Sequence, residues 1–366
     1  MVEGDQALAA AGLALLQPFL RDGKVTEIYV DGTAPLYVMR EGRLEDTAVH
    51  FDNDAQLLAL IQSLLAPVGV QIGATRPSAT VRLASGHLVT VVVPPLAAAG
   101  AGLVIRKPHD VPPSLQQGIP DGGMTAQIHR FLQGVIRAPI GIILAGNTNS
   151  DREIFLASLL QEVPPELRVI TVEPVAEMRL QRKRLLRLQA RSDVASSDAG
   201  SYSALLRLAQ RAGGHRIVAS NVPDDAMLTA VRLAAGGETV VMSMHAVSPH
   251  DALFRVEAAL QASQPHLPAL TLRKYVAGGI DLIVQRSMMA DGVRRIVAIS
   301  QVAGIERDEV LLEDLFVFRP TGYAGTRIHG VFEPTGVLPR FDNVLRAAGV
   351  ELSSQIFKPG AEIDSF

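Results

Sequence analysis

The chain has 366 residues, which is enough for two domains of ordinary size, each able to bury its own core. Apolar residues make up 48% and charged residues 19%, the balance of a globular protein, and the formal net charge of -3 gives no overall electrostatic reason to expect nucleic acid. The sequence contains no cysteine, which excludes disulfides, thiolate metal sites and a thiol nucleophile.

The first segment, MVEGDQALAAAGLALLQPFL, is acidic where a signal peptide is basic. No stretch of the sequence reaches the roughly 18 uninterrupted apolar residues that a membrane span needs. We therefore expect a cytoplasmic protein that meets a membrane only through its partners.

The N-terminal third of the sequence predicts a small α+β domain. Apolar positions at helical spacing predict a helix over 7–20, and TEIYVDG, LYVMREGRLE and ATVRLASGHLVTVVV predict strands joined by Gly and Asp turns. A second helix begins after a cap at Asp52 or Asn53. The predicted domain covers residues 1–107 and is followed by a Pro- and Gly-rich linker over 108–123.

From residue 124 onward, helix and strand signals alternate, which is typical of a mainly parallel sheet covered by helices. The predicted elements are helices over 124–137, 152–162, 202–211, 224–235, 250–262 and 269–278, strands in GIILAG, LRVITVE, HRIVAS and TVVMSMH, and a hairpin, DLIVQRSMMADGVRRIVAISQV, that turns at ADG. This α/β core is expected to span 124–319. A C-terminal extension over 320–366 would contain a last helix near 341–348.

The loop after the first core strand, GNTNSDRE, has the length and position of a phosphate-binding loop, G-x-x-x-x-G-K-[ST]. Asp151, Arg152 and Glu153 stand where that motif has Gly, Lys and a hydroxyl. Each carboxylate would cost about 1 kcal/mol beside a polyphosphate in water and more when buried. The planar guanidinium does not fit a cradle sized for Lys. Asn147 and Asn149 tolerate left-handed backbone, so the loop shape is expected to persist without its chemistry.

The same residues match a second pattern. Ser150-Asp151-Arg152-Glu153 is S-x-x-E before an apolar helix, the signature of a capping box. In such a box the Ser150 hydroxyl accepts from the Glu153 N–H, and the Glu153 carboxylate accepts from the Ser150 N–H. Taken alone, the loop therefore favours an ordinary strand-to-helix turn whose helix end is closed by its own side chains.

Several segments in order resemble the secretion and pilus-assembly motor ATPases. RPSATVRLASGHLVTVVVPPL with LVIRKP resembles their N-domain and linker, and TEIYVDG one of their N-domain strands. TVEPVAEMRL is similar to their acidic box, HRIVASNVPD to their catalytic strand, and AAGGETVVMSMHAVSPHDALFRVE to the region of their histidine box. ISQVAGIERDEVLLEDLFVFR and GVFEPTGVLPRF resemble the CpaF-like branch, which drives tight-adherence (Tad) pili. The likeness runs in order from about residue 24 to 305, and the two CpaF-like segments extend it further along the chain.

The resemblance implies a RecA-like P-loop core preceded by the smaller α+β domain, with ATP and Mg²⁺ as the family's ligands. It also implies an oligomer, either a homo-hexamer or a mixed ring with an active paralogue, that meets inner-membrane platform proteins of a pilus or secretion system. The basic run RLQRKRLLRLQAR is expected to be a solvated helix face, or a contact for an acidic partner or anionic lipid. Nucleic acid is not expected, because aromatic residues are not interleaved with these charges.

The family's catalytic parts are incomplete in this sequence. Asn221 stands at the position of the catalytic Glu, and an amide cannot act as a base. Glu173 and Glu177 remain in the acidic box and His245 in the histidine box. Other family positions have changed: Pro174 replaces an Asp, Gly237 a histidine, Gly213 an arginine and Gln189 a Glu, whereas Arg191 is retained.

Four other arginines are retained, and the resemblance implies a phosphate or inter-subunit role for them: Arg76, Arg82, Arg106 and Arg211. Each also has a simpler interpretation. Arginines in strands are often solvated or ion-paired surface charges. His245, at the end of an apolar strand, is better explained as a hydrogen-bonded structural histidine, because no base partner can be named for it. Glu173 and Glu177 have a simpler interpretation as capping or pairing carboxylates.

We therefore interpret the sequence as a pseudo-ATPase with no intact catalytic set, no metal site and no tightly bound cofactor. Its degenerate phosphate loop comprises Gly146, Asn147, Thr148, Asn149, Ser150, Asp151, Arg152 and Glu153. The alternative is an active or weakly active ATPase motor that uses other groups, such as Glu177 as the base. A third interpretation, a module that binds some other ligand in the vacated cleft, has no positive sequence signal.

Overall fold

The computed structural model describes residues 3–40, 43–108, 112–148, 150–176, 178, 180–190, 200–325 and 327–360. The predictions for Asn149, Glu177 and Arg191 lie outside the described residues. The chain divides into two units, Met1–Asp110 and Val111–Phe366. No helix within the described ranges has both the length and the apolar character that a bilayer span requires.

The first unit is a six-stranded antiparallel sheet with two helices. Its elements are α1 (Glu3–Arg21), β1 (Val25–Asp31), β2 (Tyr37–Arg40), β3 (Arg43–Asp46), α2 (Asp54–Leu65), β4 (Ser78–Arg82), β5 (Leu88–Val92) and β6 (Gly102–Arg106), with strand order β3-β2-β1-β6-β5-β4. In β1, Ile28 and Val30 are fully buried and pack with α2, as strand periodicity requires. Asn53, one of the two predicted caps, accepts at 3.0 Å from the N–H of Gln56 and begins α2.

The second unit contains a nine-stranded sheet. Its first elements are α3 (Ala126–Val135), β7 (Ile142–Gly146), α4 (Arg152–Gln161), β8 (Val169–Glu173), β9 (Leu185–Gln189), α5 (Tyr202–Arg211), β10 (Arg216–Ala219), α6 (Asp224–Ala235) and β11 (Val240–His245). They are followed by α7 (Pro249–Ser263), α8 (Ala269–Gly279), β12 (Leu282–Met288), β13 (Arg294–Glu306), β14 (Glu309–Ala324), β15 (Arg327–Pro334) and α9 (Asp342–Ala347). The strand order is β15-β14-β13-β12-β7-β11-β10-β8-β9.

Strands β12, β7, β11, β10, β8 and β9 are parallel, and β13 to β15 extend the sheet as an antiparallel meander. The central parallel strands are buried along their length, because helices cover both faces. One apolar layer joins α3 and α4 to the sheet, and the other joins α5 to α8. The α/β class and the mainly parallel arrangement of the core strands agree with the sequence prediction.

The basic run RLQRKRLLRLQAR is not a helix face, because its central part is strand β9. Leu186 and Leu188 pack against the apolar layer under α5. Arg187 and Gln189 are exposed, so packed and exposed side chains alternate with the period of two of a strand. Pairing with the edge of the sheet outweighs the helix propensity of Leu and Arg at this position.

The predicted boundary at 319/320 falls inside β14, which continues to Ala324 and pairs with β15. Phe318 and Phe332 contact each other across these two strands at a ring distance of 4.8 Å, and both belong to the apolar layer under α3. The start of the predicted extension is therefore part of the main sheet. The second half of the predicted linker also joins the core, since Leu115 is buried against it.

Arg182 closes the C-terminal end of α4. Its Nη1 donates to the carbonyls of Leu160 and Val163 at 3.1 and 2.7 Å, and its Nη2 to those of Pro164 and Leu167 at 2.6 and 3.3 Å. The last carbonyls of a helix otherwise lack partners, so one guanidinium satisfies both the helix end and the turn that leads to β8.

We expect Arg182→Ala to lower the free energy of unfolding by about 2–3 kcal/mol, because a charged donor to several carbonyls is lost. Urea titration measures the change. Lys183→Ala is the matched control, since Lys183 is exposed beside it. Equal stability of the two variants would contradict the capping role.

Asp291 joins the β12–β13 turn to β15. Its two carboxylate oxygens accept from Nη1 and Nη2 of Arg295 at 2.8 Å each, and one also accepts from the N–H of Ile328 at 3.0 Å. These bonds hold the pKa of Asp291 well below its usual range, because they favour the charged carboxylate. Arg295 also lies over the ring of Phe318 at 5.3 Å.

Because the folded-state pKa is lowered, the stabilisation from Asp291 is present above the unfolded-state pKa of about 3.9 and is lost as the pH falls below it. We expect Asp291→Asn to cost about 2–3 kcal/mol at neutral pH and progressively less below about pH 4. Thermal unfolding of both proteins across this pH range tests the prediction. The control is Asp342→Asn, which removes an exposed pair with Arg346 and is expected to cost less than about 1 kcal/mol.

Candidate functional site

The degenerate phosphate loop lies at the carboxyl end of β7, between its parallel neighbours β11 and β12. Open α/β sheets bind ligands at this edge, where the loops that follow the strands meet. Gly146 ends the strand, and a Cβ at this position would lie 2.9 Å from the carbonyl oxygen of Arg286. A glycine is therefore needed here for close packing, with or without a phosphate.

Arg152, at the position of the motif's lysine, turns inward across the loop. Its Nη1 donates to the carbonyl of Gly146 at 2.9 Å, its Nη2 donates to Oδ1 of Asn221, and its Nε contacts Oε1 of Glu153 at 3.1 Å. The guanidinium thus joins the end of β7 to Asn221, two residues after β10, from inside the loop.

Glu153, at the position of the Mg²⁺-binding hydroxyl, also points inward. Its Oε1 accepts from the Ser243 hydroxyl at 2.7 Å, and its Oε2 accepts from the Ser220 hydroxyl. Ser243 in turn accepts from the N–H of Asn221 at 2.8 Å. The side chains of Arg152 and Glu153 are each only 12% exposed, so the pair is mostly withdrawn from water.

These five residues, Arg152, Glu153, Ser220, Asn221 and Ser243, form what we call the internal cluster. It connects the start of α4 to the ends of β10 and β11 and to the carbonyl that ends β7. A buried ion pair is stable only when its remaining polar atoms have partners, and the two serines and the asparagine supply them.

The predicted capping box is wrong. The N-cap of α4 is Asp151, in left-handed backbone with φ 49° and ψ 40°, and no side-chain bond caps the helix. The N–H of Ser150 donates to the carbonyl of Asn147 at 3.3 Å. Glu153 does not reach back along the chain, because two buried hydroxyl donors on the neighbouring strands take its carboxylate oxygens.

Asp151 is held by two arginines that sequence reasoning did not select. Its carboxylate pairs with Nε of Arg294 at 2.7 Å, and its carbonyl accepts from Nη1 of Arg286 at 3.0 Å. Arg286 lies over the ring of Phe155 at 4.9 Å, and burial lowers its pKa to about 10, which leaves it charged at neutral pH. Arg286 can be identified from the pairing of β12 with β7, which places it beside Gly146. This pairing is known only once the sheet topology is known.

Two of the retained box residues do not join the internal cluster. Glu173, at the end of β8, is fully buried and accepts from the Thr171 hydroxyl at 3.1 Å and the N–H of Met178 at 2.9 Å, and Arg187 lies 3.3 Å away. Burial raises its pKa, and these bonds oppose the shift. His245 is exposed at the end of β11.

The remaining retained arginines lie elsewhere in the two units. Arg211 is exposed in the last turn of α5. In the first unit, Arg106 pairs through Nε with Oε1 of Glu27 at 2.8 Å, Arg82 ends β4, and Arg76 forms a backbone bridge with Gly73. Their phosphate or inter-subunit role stays a prediction.

The residues at this loop do not fit a nucleoside triphosphate with Mg²⁺. The Arg152 and Glu153 side chains turn inward at the positions of the motif's lysine and hydroxyl, and Asp151 adds a second carboxylate. A pocket beside the loop, lined in part by Arg286, Arg294 and Phe155, holds about 60 Å³, far less than the several hundred Å³ of a typical ligand pocket.

A family model described as type II/IV secretion system protein matches residues 9–288. The chain belongs to this family. The type IV secretion system protein PtlH of Bordetella pertussis is 29% identical over 321 residues, covering 79% of this chain and 94% of PtlH. The VirB11 protein of Brucella suis is 25% identical over 186 residues, covering 44% of this chain and 52% of VirB11.

Two solved structures share the fold. The ATPase DotB of Legionella pneumophila superposes with a TM-score of 0.53 at 16% identity, covering 82% of this chain and 80% of DotB. The pilus retraction motor PilT, solved with ADP, gives a TM-score of 0.57 at 17% identity, covering 81% of this chain and 83% of PilT. The predicted fold, a RecA-like core preceded by a smaller α+β domain, is confirmed.

We expect Arg152→Ala and Glu153→Ala each to lower the free energy of unfolding by about 3 kcal/mol, because each leaves its partner charge buried and unpaired. The double variant should cost about 1–3 kcal/mol less than the sum of the two, since the uncompensated charge is then gone. Urea titrations of the four proteins measure this coupling. Additive costs would show that the pair does not act as a unit.

Proposed function

We propose that this secretion-family chain does not hydrolyse ATP and acts as a structural or regulatory subunit of a Tad-type pilus or type II/IV secretion machine. The observation that carries the proposal is the internal cluster, in which Arg152 and Glu153 occupy the phosphate loop with their own side chains.

Electrostatics supports the loss of nucleotide binding. A working loop presents N–H groups, a lysine and a bound cation to the phosphates. Here the Glu153 carboxylate takes the place of the Mg²⁺-binding hydroxyl, and the Arg152 guanidinium already neutralises it at 3.1 Å. A polyphosphate would have to break this pair and expose Glu153 to like charge in a poorly solvated site, at a cost of several kcal/mol.

Among its described residues, the site lacks a catalytic base for hydrolysis as well as the groups that bind the phosphates. Asn221 has an amide where the family has its catalytic carboxylate, and the amide oxygen accepts from Arg152. Glu173 is fully buried, and its oxygens accept from Thr171 and Met178. At the loop itself, the described carboxylates of Glu153 and Asp151 are paired with Arg152 and Arg294, so neither is free to orient a water molecule for attack on phosphate.

The internal cluster also joins the elements around the phosphate loop to one another. It bonds the start of α4 to the ends of β10 and β11, the elements that converge on phosphate in a working site. The fold is thus held in one arrangement without a nucleotide. This suits a subunit that supports an assembly and does not cycle through nucleotide states.

The wider role rests on the family and its CpaF-like segments. We propose a ring, either a homo-hexamer or a mixed ring with an active paralogue, that meets inner-membrane platform proteins from the cytoplasmic side. In a mixed ring, Arg76, Arg82 and Arg106 would act on a neighbouring subunit's nucleotide.

The test is nucleotide-dependent stability. A ligand at a hundred times its dissociation constant adds about 2.7 kcal/mol to the folded state, so binding would raise the unfolding temperature. We expect millimolar ATP with Mg²⁺ to leave the wild-type midpoint unchanged, and phosphate release to stay at the buffer rate. Saturable micromolar binding of a labelled ATP analogue by the wild type would contradict the proposal and favour the active-motor alternative.

The matched variant restores the motif with Asp151→Gly, Arg152→Lys, Glu153→Thr and Asn221→Glu together. It removes the carboxylates from the loop and returns the lysine, the hydroxyl and the base. We expect ATP with Mg²⁺ to raise the midpoint of this variant alone, which would show that the assay detects binding on this fold.

A further inference from the structure

The second unit carries an exposed groove between α6 and α7, remote in sequence from the phosphate loop. Its volume is about 600 Å³, and its walls include Asp224 and Asp225 from the start of α6 and Phe254, Ala258 and Ala262 from α7. Phe254 is 69% exposed, and the three α7 residues lie four apart, on one side of the helix. We call this surface the α6–α7 groove.

The groove combines apolar residues of α7 with carboxylates at the start of α6. Its apolar lining includes Phe254, Ala258 and Ala262. In the part of the chain that the structure describes, no hydrogen bond or ion pair engages the carboxylates of Asp224 and Asp225. Asp251 differs, because it already accepts from Nε of Arg255 at 3.0 Å. The groove therefore fits an element with apolar side chains flanked by positive charge.

The chain itself has such an element on α5. Arg207, Leu208 and Arg211 are exposed on one face of this helix, whereas Leu205 and Leu206 are buried under it. Leu208 is 39% exposed, and Arg211 lies three residues further along, on the same side of the helix. We call this surface the α5 face.

The exposed apolar side chains on the two surfaces are Leu208 on the α5 face and Phe254 in the groove. A helix that lies in an apolar groove is a common mode of protein recognition.

We propose that the α5 face of one copy docks in the α6–α7 groove of a second copy. Leu208 contacts Phe254, Ala258 and Ala262, and Arg211 pairs with Asp225 and its neighbour Asp224. The face and the groove are different surfaces of the chain, so each contact joins unlike surfaces of the two copies. The inference rests on the assembly in the proposed function and is independent of the loss of hydrolysis.

Sedimentation velocity of the full chain over a range of concentrations tests the contact. We expect the wild type to associate, and Asp225→Arg, Arg211→Asp and Phe254→Ser each to raise the apparent dissociation constant at least about tenfold, as truncation or reversal of a central contact does. An equimolar mixture of Asp225→Arg with Arg211→Asp should recover association, because every contact between the two variants again joins opposite charges.

The controls are Tyr323→Ser and Glu309→Arg, which alter an exposed aromatic ring and an exposed carboxylate on β14, away from both surfaces. We expect these variants to associate like the wild type, and thermal unfolding confirms that all variants fold.

Three results would overturn the inference: a wild type that stays monomeric, groove variants that associate normally, or a mixture that does not recover. A monomeric wild type would also contradict the proposed ring. Association that survives every groove variant would contradict only this surface. Neither result bears on nucleotide binding, which the stability assay measures separately.

Discussion

The arrangement at the carboxyl edge of the sheet depends on the ion pair between Arg152 and Glu153. Two charges withdrawn from water are stable together only if their attraction and their other hydrogen bonds offset the loss of hydration. This constraint explains why Ser220 and Ser243 donate to the carboxylate and why Asn221 accepts from the guanidinium. The pair thereby determines where the start of α4 lies relative to β10 and β11.

A second layer of charge surrounds this pair. Arg286 and Arg294 hold Asp151 from the β12–β13 side, and Asp121 lies close enough to Arg286 to affect its pKa. Together with Arg152 and Glu153, these groups comprise three arginines and three carboxylates around one loop. The charges of these six groups balance within the protein. A phosphate-binding loop has the opposite design, with donors and positive charge left unbalanced until the ligand arrives.

Much of the fold follows from local patterns in the sequence. Apolar periodicity placed the core helices and parallel strands within a few residues, and the position of GNTNSDRE between β7 and α4 was predicted from its flanking segments. The side-chain partners in the loop could not be predicted in this way. Glu153 bonds to hydroxyls 67 and 90 residues away, and a local motif cannot weigh such partners against a capping box. The predictions of a helix face at β9 and of a domain boundary inside β14 failed for the same reason. Whether a segment forms the edge of a sheet depends on the strands that pair with it, which are distant in sequence.

The left-handed backbone of Asp151 separates the shape of a phosphate loop from its chemistry. Its φ of 49° is a conformation that glycine adopts without strain and that an aspartate adopts at some cost. A glycine, which the motif has at this position, would adopt this backbone without strain, whereas the residue here is an acid held by Arg294. Whether such a protein is an enzyme has to be judged from the atoms that fill the loop.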